Sequence, residues 1–191
     1  MFSKFKGQFG YLRKQPVRVG IFTVVLLFMC AAVFLTGYIL KGDVKNIFTV
    51  VAVLGTLPAA KMIVSFIMYL KAEKFTCKKD TYERVEKVLS GKDVEYGYDF
   101  YLTSYKTNFA VSSCAVFDGS MILLYPDGKE KNKELREHVE KYLNNNSITQ
   151  VNVYVLESED KYIERLKSAD SSYHKTETDT AAITLIKNLS L

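Results

Sequence analysis

Few side chains in this chain of 191 residues stand at spacings that do chemistry, and each set has a plain alternative. Cys30, Cys77 and Cys114 share no ligand spacing, so neither a zinc site nor a disulfide framework follows. Cys77 would be positioned for acylation if a bilayer lay beside it, and is otherwise an ordinary thiol. His138 follows Glu134 by one helical turn and reads as a surface pair; His174 stands among Ser, Tyr, Lys and Thr in a polar stretch and reads as solvated. Ser112 or Ser113, His174 and Asp170 can be written down as a triad, but many serines and two histidines give that choice no specificity. No glycine-rich phosphate loop or dinucleotide fingerprint is present, and no cofactor is expected. Tyr96, Tyr98, Tyr101 and Tyr105 would stack on a base or a peptide, or pack a sheet. Lys61 is the most unusual position, because it interrupts a long apolar run, and a charge within a membrane is a functional candidate by default.

That run sets the frame for the rest. Residues 19–70 carry only four charges, Lys41, Asp43, Lys45 and Lys61, and the pattern predicts two membrane-crossing helices, 19–40 and 46–70, joined by a tight turn. The first holds 22 uncharged residues and would be roughly 33 Å long as a helix, enough to cross the hydrocarbon core. A cleaved signal peptide is disfavoured, because the run exceeds the usual apolar core of such a segment and a second apolar stretch follows five residues later. The second carries Gly55, Pro58 and Lys61, so a kink is expected near Pro58. Lys61 lies nine residues before Leu70, roughly 14 Å along the axis. Its side chain would snorkel toward lipid phosphates, or pair with a carboxylate; alternatively, residues 61–71 would continue along the interface.

Flanking charge predicts orientation. Lys4, Lys6, Arg13, Lys14 and Arg18 precede the first span with no acid among them, and Lys71, Lys74, Lys78 and Lys79 follow the second. By the positive-inside rule both termini are cytoplasmic, in a multi-pass protein of a prokaryotic cell membrane. Residues 1–70 hold eight bases and one acid, net +7, whereas 71–191 hold eighteen bases and twenty acids, net −2. The basicity therefore belongs to the anchor, whose expected partner is a bilayer with anionic headgroups, and nucleic acid is disfavoured for the remainder. Phe2, Phe5, Phe9 and Tyr11 among these bases fit a segment 1–18 dipping into the headgroups, or a tail serving topology alone.

Residues 71–191 suffice for one cytosolic α+β domain. A helix is expected from about 79 to 90, where Tyr82, Val85, Val88 and Leu89 form a stripe. Residues 96–104 alternate Tyr96, Tyr98, Phe100 and Leu102 against Asp99, Tyr101 and Thr103, the period of a half-buried strand. Residues 108–117 and 121–125 flank Asp118-Gly119, a hairpin signal. A helix over 130–143, a strand over 151–156 more central than the hairpin, a helix after Ser158, a loop over 168–178 and a helix over 181–191 complete the order α-β-β-β-α-β-α plus a terminal helix.

The first six of these elements resemble the core of the PD-(D/E)XK nuclease fold, and Phe117-Asp118 with Asp127-Gly128-Lys129 matches its literal motif. The resemblance implies adjacent acids binding a divalent metal that activates water. Here Asp118 falls in the hairpin turn and Asp127 at the far end of the third strand, roughly 20 Å away. Ile122, Leu123 and Leu124 stand where the triplet belongs, so no metal site is expected; an α+β sheet with helices packed on it is the favoured form, and a degenerate restriction-endonuclease-like core is one version of it. The sequence thus predicts a membrane-anchored binding or interaction module without catalysis. The alternatives are a tethered metal-dependent hydrolase, or a hairpin that is itself a subunit of a membrane complex. In the last case Gly37, Gly55, Pro58, Ala59 and Lys61 would meet a partner membrane protein or a second copy.

Overall fold

The computed structural model describes residues 6–104, 107–126, 131–170 and 173–191. It forms two compact units: residues 12–74 make one, and residues up to Tyr11 join Phe75–Leu191 in the other.

In the first unit, α1 (Tyr11–Lys41) and α2 (Ile47–Glu73) are each long and apolar enough to cross a membrane. The expected basic tail is therefore partly helix, since α1 begins eight residues before the apolar run. Pro16 lies inside α1 and Pro58 inside α2, and both helices continue through them. The less exposed positions of α2 recur at Ala52, Gly55, Ala59, Met62, Phe66 and Tyr69, a 3-and-4 spacing that lays one seam along the helix. The seam of α1 runs through Gly20, Thr23, Leu26, Cys30, Val33 and Gly37.

Glycines let the two seams meet. A Cβ on Gly20 would lie 3.2 Å from the Phe66 ring, and one on Gly55 would lie 2.8 Å from Cys30 Sγ. One on Gly37 would collide with Phe48 Cβ. As numbers rise along α1 the partners fall along α2, so the helices are antiparallel. Their turn is held locally: Lys45 N donates to Asp43 Oδ1 at 3.0 Å, and Asn46 caps α2 by accepting from Thr49 N at 3.0 Å.

The second unit places helices on both faces of a sheet. Its elements are α3 (Lys79–Leu89), β1 (Glu95–Thr103), β2 (Asn108–Phe117), β3 (Ser120–Leu124), α4 (Asn132–Asn145), β4 (Asn152–Leu156), α5 (Glu159–Lys167) and α6 (Glu177–Leu189). The sheet order is β1-β2-β3-β4; the first three strands are an antiparallel meander and β4 is parallel to β3. On one face Leu135, Val139 and Leu143 of α4 and Ala182, Ile183 and Ile186 of α6 bury Phe100, Val116 and Leu123. On the other, Val85 and Leu89 of α3 and Tyr162, Ile163 and Leu166 of α5 bury Tyr98, Phe117 and Ile122.

Several expectations are corrected. Strand β4 is an edge, not a central strand: its Val and Leu content reflects the helices α4 and α5 against it, while Asn152 and Tyr154 are exposed. The terminal helix starts at Glu177, inside the stretch 168–178 expected to be loop, because Thr176 and Asp179 form a reciprocal capping box. Strand β1 does not keep one alternation. Asp99 takes φ +57°, so Tyr96 and Tyr98 face the α3/α5 side while Phe100 and Leu102 face the α4/α6 side. Tyr101, expected on the outer face, is buried.

The open edge of β1 is covered by chain from both ends of the sequence. Tyr98 N donates to Gly7 O at 2.9 Å, Tyr101 N to Ser190 Oγ at 2.9 Å, and Leu191 N to Tyr101 O at 3.0 Å. Such cover keeps an edge from pairing with another chain.

Candidate functional site

The most demanding polar arrangement is built around Asp99. Aspartate is among the few residues that accept the left-handed backbone readily, and here that conformation turns its carboxylate inward, where it is 1% exposed. Oδ2 accepts from Gly10 N at 2.6 Å and Oδ1 from Cys77 N at 2.6 Å. These are short charge-assisted bonds of the kind that compensate a buried carboxylate. Gly10 and Cys77 are 67 positions apart and flank the helical hairpin in sequence, so one side chain holds both segments of chain that lead to it.

Aromatic packing reinforces that junction. The Phe9 ring stacks on Tyr82 with centroids 4.3 Å apart and meets Tyr98 edge-on at 6.3 Å. The hydroxyls of Tyr96 and Tyr98 both donate to Glu86, at 3.2 and 3.0 Å. Burial and the neighbouring Glu86 carboxylate push both phenols above the ordinary tyrosine value. Of the tyrosines that suggest a stacking platform, Tyr96 and Tyr98 are thus occupied by one another, by Phe9 and Tyr82 and by Glu86, and Tyr101 is buried; Tyr105 lies outside the described residues.

A second feature is a polar cleft of about 490 Å³ beside the β2–β3 turn. Asp118 and Ser120 line it from the turn, Arg165 and Ser168 from the end of α5, and Asp170, Tyr173 and His174 from the segment before α6. Asp118 takes φ +48° in the turn. Tyr173 donates to Asp179, the third residue of α6 and part of its capping box, and its phenol is pushed up first by burial and then by that bond. The Arg165 guanidinium also lies over the Tyr154 ring, 5.4 Å from its centroid. Acids, a guanidinium and an exposed imidazole in one concavity suit a small polar ligand carrying both donors and acceptors.

Of the residues singled out from sequence, Asp118, Asp170 and His174 share this cleft, and the others are scattered. The triad of Ser113, His174 and Asp170 is not assembled, although the last two line the cleft: Ser113 is buried against Tyr162 Oη at 2.9 Å and Gly97 O at 3.2 Å, while His174 is exposed and 3.8 Å from Asp93. Asp118 is in the turn, and Ile122, Leu123 and Leu124 are fully buried in the two cores; Asp127 and Lys129 lie outside the described residues. Cys77 is buried with its N–H on Asp99, which removes it as an acylation site. The Cys114 thiol is buried too, and burial pushes it up.

His138 is not a surface partner of Glu134. Its ring packs 4.9 Å from Tyr142 and 5.7 Å from Phe109, and burial with Lys141 nearby lowers its affinity for a proton. Lys6 donates to Ser190 O at 2.5 Å, and burial pushes its ammonium below the ordinary lysine value. Lys4 lies outside the described residues. Arg13, Lys14 and Arg18 are exposed on the first turns of α1; Pro58 and Lys61 are exposed on α2, whereas Gly55 faces Cys30.

Asp99 was the residue that pattern reading missed. Its only signal was an acid of low strand propensity within a run of aromatic residues. Searches against protein-family models, curated proteins and solved structures find no match for this chain.

Proposed function

We propose that the chain is an integral membrane protein whose helical hairpin anchors a cytosolic α+β binding module. The observation that carries this is the exposure of the hairpin: only 11% of the most apolar window of either helix is buried, whereas a core helix of a soluble protein would be mostly buried. Phe28 is 76% exposed and Ile39 78%, and a continuous surface of that kind suits lipid. Charge supports the orientation, with Arg13, Lys14, Arg18, Lys71 and Lys74 at one end of the hairpin and Lys41, Asp43 and Lys45 at the other. Both termini are then cytoplasmic.

Binding rather than catalysis is supported by what occupies the catalytic positions of the resembling fold. The meander followed by a parallel fourth strand suits a degenerate PD-(D/E)XK core, but apolar Ile122 and Leu124 stand where the acid and lysine of the motif belong. The polar cleft near Arg165 and His174 is the ligand site of this reading.

The test is affinity capture of the full-length protein from its native membrane, beside Arg165→Ala and beside the α+β unit grafted onto an unrelated hairpin. A ligand or partner that follows the graft and is lost with Arg165→Ala supports the reading. One recovered only with the native hairpin transfers the function to α1 and α2. Divalent-metal binding at Asp118 measured by calorimetry, with turnover of a phosphate ester, would replace it with the hydrolase.

A further inference from the structure

We infer that the hairpin carries a seat for a single anionic phospholipid, in the groove between the start of α1 and the end of α2. The inference rests on the membrane reading above and adds a specific occupant to it. The groove encloses about 530 Å³ and is lined almost wholly by apolar side chains, among them Val17, Ile21, Val24, Phe66 and Leu70. It exists because Gly20 has no side chain, so that the Phe66 ring lies against the backbone of α1 and leaves a furrow beside it.

Length and charge together choose the occupant. The lining runs from Arg13 to Val25 on α1, about 18 Å at 1.5 Å per residue. That is close to the depth of one leaflet, half of a hydrocarbon core about 30 Å thick, so one acyl chain matches the furrow along its length. Among the described residues Arg13 and Glu73 are the charged ones that line it, and both lie at the end of the hairpin where the helices begin and finish. Around that mouth Lys14, Arg18, Lys71 and Lys74 are exposed, and Glu73 is the sole acid among these positions. A phosphate without a compensating cation, as in phosphatidylglycerol, fits five bases and one acid better than a zwitterionic headgroup. A second copy of the chain would need apolar side chains to fill the same furrow and would set its own basic mouth beside this one.

Native mass spectrometry of the full-length protein in mild detergent, with equal phosphatidylglycerol and phosphatidylcholine of one acyl length, tests this. The expected result is one retained phosphatidylglycerol, favoured at least fivefold. Val17→Trp, which fills the furrow, and Arg13→Gln should each abolish that preference; Arg13→Lys should keep part of it, and Val53→Trp, an exposed apolar position outside the groove, should leave it intact. Val24→Phe repeats the filling test with a smaller perturbation. Parallel flotation with liposomes under alkaline carbonate separates the two claims. Equal retention of both lipids, or retention untouched by the filling variants, in a protein that floats overturns the seat and leaves the anchor standing. Release of the wild-type chain by carbonate overturns the membrane reading and the seat with it.

Discussion

The two units invert each other's use of side chains. In the hairpin the closest approaches fall at Gly20, Cys30, Gly37 and Gly55, with Phe66 and Phe48 laid against two of those glycines, while Phe28, Ile39 and Leu57 point out. In the α+β unit Phe100, Leu123 and Tyr162 are fully buried, and Lys and Glu cover the helices. Water drives the second pattern, since removing apolar area from it is the dominant favourable term in folding. In lipid, as proposed for the hairpin, close helix approach through small residues takes its place. On the membrane reading proposed above, the two units meet different solvents, and changes in each should report on different forces.

The largest effect is expected at the junction. Asp99→Ala leaves the buried N–H of Cys77 and the half-buried N–H of Gly10 without this acceptor, at a cost of about 1–3 kcal/mol for the buried one. A fall of many degrees in the melting temperature of the full-length protein checks this, with Asp99→Asn falling between, because one amide oxygen replaces two carboxylate oxygens. Gly37→Leu should act only on the hairpin, where even a Cβ collides with Phe48; overpacking of this kind costs about 1–3 kcal/mol. Helix–helix distance measured by spin labels should lengthen while the near-ultraviolet signal of the tyrosine-rich unit stays the same. Were both units to respond equally, their separation would be lost.

Smaller effects sharpen the contrast. Phe9→Ala removes the stack on Tyr82, worth about 1 kcal/mol beyond the area it buries, and should lower the stability of the α+β unit alone. Acidification should destabilise that unit as well. The folded state holds His138 below the ordinary histidine value, so the unfolded chain takes up the proton first. Stability is then full above that ordinary value and is lost as pH falls through it toward the lower folded value. Melting curves between pH 8 and pH 5 read this dependence, and His138→Phe should remove it. At the bottom of the scale, Arg84→Gln breaks exposed pairs with Asp160 at 2.5 Å and Glu159 at 3.8 Å and should leave the melting temperature unchanged.

Most elements were legible because their signals are local. Asp118-Gly119 between two apolar runs marked the hairpin, and the structure starts β2 at Asn108 and ends it at Phe117 as the pattern predicts. Two features were hidden because they depend on distant chain. Asp99 reads as an outward residue of an alternating strand until Gly10 and Cys77 arrive to meet it. Strand β4 reads as central because apolar content reports coverage of faces, not pairing of edges. The cap of α6 was overlooked for a simpler reason: its third position is Asp179, shorter than the Glu or Gln usual in a capping box. Of the candidate sites, the basic end of the hairpin was visible as composition; the cleft was not, since Asp118, Arg165 and His174 come from three separate elements.

The most direct measurement of the central claim is protease protection of a C-terminally tagged full-length protein in inverted membrane vesicles and in intact spheroplasts, after an alkaline carbonate wash. The account predicts that the tag stays with the membrane, is cut in inverted vesicles and is protected in spheroplasts. Release by carbonate, or cutting in spheroplasts alone, would contradict it.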